Sequence, residues 1–183
     1  IGQHGGLSGT PSHSAGLLGT NVVVGMSDTG LDESSCYFVD PKGKVPRSSV
    51  EHPTFDNSFR KVISYISYGS GGDYMNGHGS HISGSIAGKC TEDNPDFTQY
   101  NGMAPNAKLV VFDIGENDAA SSLIVPADLG IIYDTAYFAG ARLHSNSWGG
   151  GYWYDSYSIE TDEFLFNNPD FIVFFAGGND GKI

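Results

Sequence analysis

The chain has 183 residues, 39% of them hydrophobic, with 26 glycines and two cysteines, and nine basic against 21 acidic side chains set its net charge at −12. That length suits one α/β domain better than two, and glycine without a fixed period excludes a fibrous chain. So anionic a surface, with no lysine or arginine cluster, repels a phosphate backbone; nucleic acid is not an expected partner. The longest apolar runs, such as Leu109-Val110-Val111-Phe112, are far shorter than a membrane span, and the start has no basic region followed by an apolar core, so it reads as a mature start.

Asn21 to Met26 reads as a short buried strand, with Ser27-Asp28-Thr29-Gly30 at its carboxyl end. Lys61 to Ile66 is a second β-like run. His78 to Gly88 has Ile82 and Ile86 four apart among small residues, which predicts a slender helix approached closely by neighbouring backbone. Ala107 to Ile114 is the next strand, after the turn Gly102-Met103-Ala104-Pro105. A helix follows over Ala127 to Ala139, ending near Gly140, then a strand over Arg142 to Ser147. Ser158 to Phe166 is helical, Asn167-Asn168-Pro169 stops it, and Phe171 to Ala176 is the last strand. Strands alternating with helices predict a mainly parallel sheet covered on both faces, with working residues beyond the carboxyl ends of strands. Asp28, Ser147 and Asn179 all fall there. The segments Leu31 to Arg60 and Ser67 to Asn76 read as surface loops. The chain stops just after a buried strand, so this side is expected to be completed by another chain or by further sequence.

Cys36 and Cys90 have no close metal-ligand spacing. One disulfide between them would tie the loop after Asp28 to the far end of the helix that starts at His78, and would imply an extracellular or secretory, vesicular lumen; two unpaired thiols are the alternative.

An aspartate, a histidine and an amide side chain at one crevice suit acyl transfer: the carboxylate orients the imidazole, the imidazole moves a proton, and the amide holds an oxyanion. No serine sits in a Gly-x-Ser-x-Gly elbow. Five ordered blocks, Asp28-Thr29-Gly30, His78-Gly79-Ser80-His81-Ile82-Ser83-Gly84, Gly102-Met103-Ala104-Pro105, Asn146-Ser147-Trp148-Gly149 and Ala176-Gly177-Gly178-Asn179-Asp180-Gly181, resemble those of the subtilisin-like serine proteases, from about Val22 through Gly181.

The resemblance implies a three-layer subtilisin-like α/β fold, with residues 1–183 forming a partial peptidase domain that is incomplete on its C-terminal side. It implies a serine endopeptidase acting on peptide or protein substrates through an Asp-His-Ser triad and an acyl-enzyme. Asp28 would orient the imidazole, His78 would be general base and then acid, and Asn179 would donate to the oxyanion. Ser147, Trp148 and Gly149 would bind extended substrate by strand addition. The family's serine block does not occur before Ile183, so the nucleophile is expected beyond it. The downstream part of the domain would then be a partner, and the isolated chain would be inactive. A pseudoprotease, binding peptide without cleaving it, is the alternative. On the other side of the groove Gly115 to Ala120 would shape a subsite, with Glu116 or Asp118 favouring basic substrate residues.

No cofactor is required for this chemistry. Structural Ca2+ is common in such folds, and Asp32, Glu33, Asp40, Asp56 and Asp73 offer oxygen ligands, although solvated surface carboxylates explain them equally well. His78 and His81 could share a zinc, but His-Gly-Ser-His lacks the glutamate of His-Glu-x-x-His. A packed or hydrogen-bonded structural role is expected for His81. An aspartic-protease reading of Asp28-Thr29-Gly30 would need a second such turn or a dimer, and Leu31 stands where Ser, Thr or Ala usually follows.

Overall fold

A computed structural model describes residues 11–69, 71–73, 77–116, 122–179 and 181. In chain order the elements are α1 (Pro11–Ser14), β1 (Val23–Asp28), β2 (Arg47–Ser48), β3 (Val62–Ser67), α2 (His78–Ala87), α3 (Pro95–Thr98), β4 (Lys108–Asp113), α4 (Gly130–Phe138), β5 (Leu143–Asn146), α5 (Ser156–Asn167) and β6 (Ile172–Phe175). All strand pairs are parallel, and the sheet runs β2-β3-β4-β1-β5-β6. This is the α/β architecture expected from the alternation of strands and helices.

Strand alternation divides the core into two layers. Val24, Met26, Tyr65, Leu109 and Val111 face one side, where Ala87 of α2 joins them. Ile63, Ile66, Val110 and Phe112 face the other, against Ile132, Tyr133 and Ala136 of α4 and Phe164 of α5. The central strands are buried on both faces, which explains their continuous apolar runs.

The segment 31–60 departs from the sequence reading. Leu31, Phe38, Val45 and Phe59 are buried with the α2 layer, so this stretch supplies core as well as surface. Its apolar residues follow no helical or strand period, which is why pattern alone did not show their burial. The two-residue β2 and the single-turn helices α1 and α3 also escaped prediction, being too short to carry a period. At the other edge, Ile172, Phe174 and Phe175 of β6 are exposed.

Two buried ionisable groups are built into the frame. Lys61 donates to the carbonyls of Pro105 (2.9 Å) and Ala107 (2.5 Å), while burial pulls its ammonium down to about 7. His144, in the middle of β5, packs edge-on against Tyr133 with ring centroids 5.4 Å apart, and burial pulls its imidazole down to about 3. It is a neutral core ring.

Candidate active site

Parallel pairing carries the carboxyl ends of β1, β4, β5 and β6 to one edge of the sheet. Asp28 ends β1 in register with Asp113 at the end of β4, and Asn146 ends β5. His78 is the first residue of α2. Gly77 precedes it at φ 70, a left-handed turn that favours glycine, and the chain enters the helix from there.

The sheet edge and α2 meet closely. His78 Nδ1 lies 2.6 Å from Asp28 Oδ1, which also accepts the Thr29 N–H at 2.8 Å. The aspartate side chain is 2% exposed and the histidine side chain 51% exposed, so the carboxylate is enclosed while much of the imidazole stays open. With Nδ1–H donated to the carboxylate, the lone pair is on Nε2, the form a general base requires. Asp28 Oδ2 is buried and has no hydrogen-bond partner among the described residues.

Contact this close requires glycine in α2. A Cβ on Gly79 would stand 2.1 Å from the Gly30 carbonyl oxygen. Three hydrogen bonds bind the two segments further. The Gly79 N–H donates to Thr29 Oγ1 (2.9 Å), the Thr29 hydroxyl donates to Asp73 Oδ1 (2.9 Å), and Asp73 Oδ2 accepts the Ser80 N–H (2.8 Å). Ser80 Oγ in turn accepts the Asp32 N–H at 2.7 Å. In the sequence Thr29 has a place in a block but no role of its own, and Asp73 is one of the oxygen ligands offered to calcium. Their pairing depends on a tertiary approach that spacing does not encode.

Behind β1, Ser27 Oγ donates to Asn146 Oδ1 at 2.6 Å, and Trp148 Nε1 lies 3.0 Å from both Ser27 O and Ser27 Oγ. Regular strand stops at Asn146, and Ser147-Trp148-Gly149 continues past the edge, with Gly149 exposed. Trp148 is half-buried, its ring 5.5 Å from Phe175. The block predicted to bind substrate is therefore tied to the strand that ends in Asp28. Asn179 follows β6 at the same edge, exposed, just after Gly178 at φ 81.

Asp113 organises the neighbouring loops. It accepts the Gly115 N–H (3.0 Å) at one oxygen, and the Gly71 N–H (2.7 Å) and Tyr65 hydroxyl (3.1 Å) at the other. Burial pushes this carboxyl up to about 6 against those donors. Tyr65 also accepts the Leu31 N–H at 3.2 Å, beneath the Arg47 guanidinium 3.5 Å from its ring centre. No motif marked Asp113. Burial at a strand end is its only sequence signal.

The carboxylates considered for calcium have other partners in the structure. Asp32 and Asp56 accept from the backbone N–H and hydroxyl of Ser34 and Ser58, Asp40 from the N–H groups of Lys42 and Arg60, and Glu33 pairs with Arg47. Among the described residues no three metal-ligating side chains converge. His81 is exposed, so of the packed and hydrogen-bonded roles expected the packed one does not hold, because its position on α2 points away from the sheet layer that holds Gly79, Ser83 and Ala87. The Cys36 and Cys90 sulfurs lie 2.6 Å apart. Glu116 is described and exposed, whereas Asp118 lies outside the described residues.

A parallel sheet layered by helices, with an aspartate at the end of its central strand and a histidine opening a helix on one face, has the architecture of a subtilisin-like hydrolase. The chain belongs to the Subtilase family, whose profile matches residues 19–182. It is 37% identical over 172 residues to the serine protease/ABC transporter B family protein tagD of Dictyostelium discoideum, covering 89% of this chain and 9% of that protein. To fervidolysin of Fervidobacterium pennivorans it is 32% identical over 169 residues, covering 88% of this chain and 21% of that one. The chain thus spans a small part of these relatives. In fold it resembles the Clostridium perfringens CspB protease, with a TM-score of 0.61 at 16% identity, over 93% of this chain and 38% of that one. A Pseudoalteromonas arctica protease gives 0.56 at 19% identity, over 98% and 56%. Among the described residues no helix is long and apolar enough to cross a membrane.

Proposed function

We propose that this chain is the aspartate- and histidine-bearing part of a serine endopeptidase domain whose nucleophile lies in sequence beyond residue 183. The observation that carries the reading is the 2.6 Å contact between an enclosed Asp28 and a half-open His78. The buried carboxylate fixes the imidazole in one tautomer and stabilises the imidazolium, while Nε2 takes the proton of an attacking serine and returns it to the leaving amine. Asn179 donates its side-chain amide to the tetrahedral oxyanion. Ser147, Trp148 and Gly149 pair with an extended peptide or protein substrate beside Asn146. No metal takes part in these steps.

The exposed apolar face of β6 supports a partnership with downstream sequence of the same domain. So does a cleft of about 390 Å3 lined by Val24, Ile86, Met103, Leu143 and Phe174. The neighbouring Cys36 and Cys90 sulfurs support a disulfide, and with it an extracellular or secretory, vesicular location. A fluorophosphonate probe on the folded full-length parent is expected to label a serine downstream of Asn179, and His78→Ala to abolish the labelling. An unlabelled wild type that still binds peptide would establish the pseudoprotease instead.

A further inference from the structure

Asp28 and His78 belong to segments 50 residues apart in sequence. Between them runs a short relay of hydrogen bonds on the residues next to the pair. The Gly79 N–H reaches Thr29 Oγ1, the Thr29 hydroxyl reaches one oxygen of Asp73, and the Ser80 N–H reaches the other. Each group serves in its own sense: the hydroxyl accepts once and donates once, and the carboxylate accepts twice. The first helical amides are otherwise left without intrahelical acceptors, and Gly77 has no side chain to cap them. Thr29 and Asp73 supply that cap from outside the helix, and Thr29 is covalently next to the carboxylate that receives the imidazole.

We propose that Thr29 and Asp73 are positioning residues for the Asp28 and His78 pair, clamping the start of α2 to the end of β1 through Gly79 and Ser80. The clamp rests on the endopeptidase reading for its kinetic consequence, although its geometry does not depend on that reading. It acts on the register of the imidazole against Asp28 and touches neither substrate nor reacting atoms. A loosened clamp therefore lowers kcat and leaves substrate affinity intact, since the segment Ser147 to Gly149 is anchored separately through Trp148 and Ser27.

The test uses the full-length parent with Thr29→Val, Asp73→Ala, the double variant and Thr29→Ser. Peptide hydrolysis is read as kcat and KM, and amide hydrogen exchange is read residue by residue. Thr29→Val and Asp73→Ala are each expected to lower kcat by about 10- to 100-fold, as misplacement by a fraction of an ångström to an ångström does. KM should stay within about twofold, and the double variant should be no worse than the weaker single, because the relay is one unit. Thr29→Ser, which keeps the hydroxyl, should restore kcat to within about threefold of wild type. Exchange should quicken at Gly79 in Thr29→Val and at Ser80 in Asp73→Ala. Unchanged exchange at both amides, multiplicative losses in the double variant, or a loss carried in KM would each overturn the clamp. A wild type without hydrolysis would defeat the endopeptidase reading instead, and the exchange arm would still decide the clamp.

Discussion

Replacing Gly79 with alanine sets two effects against each other. Alanine is the better helix former by about 1 kcal/mol, so propensity alone says the variant is more stable. The structure says otherwise, because the new Cβ would lie 2.1 Å from the carbonyl oxygen and 3.0 Å from the nitrogen of Gly30. Both are backbone atoms, which cannot rotate aside. To regain ordinary contact, α2 and the turn after β1 must part by about 1 Å. Overpacking of this kind costs roughly 1–3 kcal/mol, which offsets or exceeds the gain in propensity. The larger effect falls on the site. The His78 to Asp28 contact at 2.6 Å spans the same gap, and opening it by that amount breaks the hydrogen bond. Gly79→Ala in the full-length parent is therefore expected to lose about 100-fold in kcat/KM. Its melting temperature should fall by a few degrees, or by nothing where propensity compensates. Peptide hydrolysis beside a thermal melt checks both. A folded variant with activity within threefold of wild type would refute the claim that this contact sets the separation of the pair.

Three further perturbations follow from the same geometry. Asp28→Asn keeps the shape but offers an N–H where His78 needs an acceptor, so kcat should drop by about 10⁴ with KM little changed, the loss that follows when a triad aspartate becomes asparagine and the imidazole takes the wrong tautomer; steady-state kinetics on the parent read this directly. His144 takes up its proton in the unfolded chain near 6.5 and in the folded chain only near about 3, so its stability contribution is complete above pH 6.5 and is lost as pH falls. Denaturant unfolding at pH 7 and 4.5 should show wild type losing about 3 kcal/mol more than His144→Leu. Asp113, raised to about 6, works in the opposite direction over part of this range but is common to both chains. A Cys36 to Cys90 disulfide would close a span of 54 residues, so reduction should cost about 4 kcal/mol of stability; non-reducing peptide mapping would show whether the bond is present.

The elements that the sequence made legible are those whose residues face apolar layers on both sides. The runs at Asn21 to Met26 and Ala107 to Ile114 read as strands because burial left them no polar alternation, and their boundaries moved by one or two residues at the ends; Phe171 to Ala176 is as apolar, although in β6 most of it is exposed. Asp28 and His78 were legible for a different reason: each belongs to one of five ordered blocks that resemble those of the subtilisin-like proteases. Legibility ended where a role depends on a tertiary meeting. Leu31, Phe38 and Val45 are core residues in a segment without regular structure, and Thr29 with Asp73 form a relay whose partners are 44 residues apart. Asp113 has its role because the sheet order puts β4 beside β1, a neighbour relation that periodicity within either strand does not contain.

That sheet order also fixes a sequence of events in folding. β1 and β3 are consecutive long strands but not neighbours, since β4 inserts between them, pairing Val23 with Lys108 on one side and Val62 with Leu109 on the other. During synthesis, the turn bearing Asp28 and the helix bearing His78 emerge well before the strand that seats both halves of the sheet. β1 waits on a closure of 85 residues, from Val23 to Lys108, and β3 on one of 47, from Val62 to Leu109, both slow, non-local steps. A nascent chain that has passed His78 but not Asp113 thus has both members of the pair and no scaffold on which they can meet.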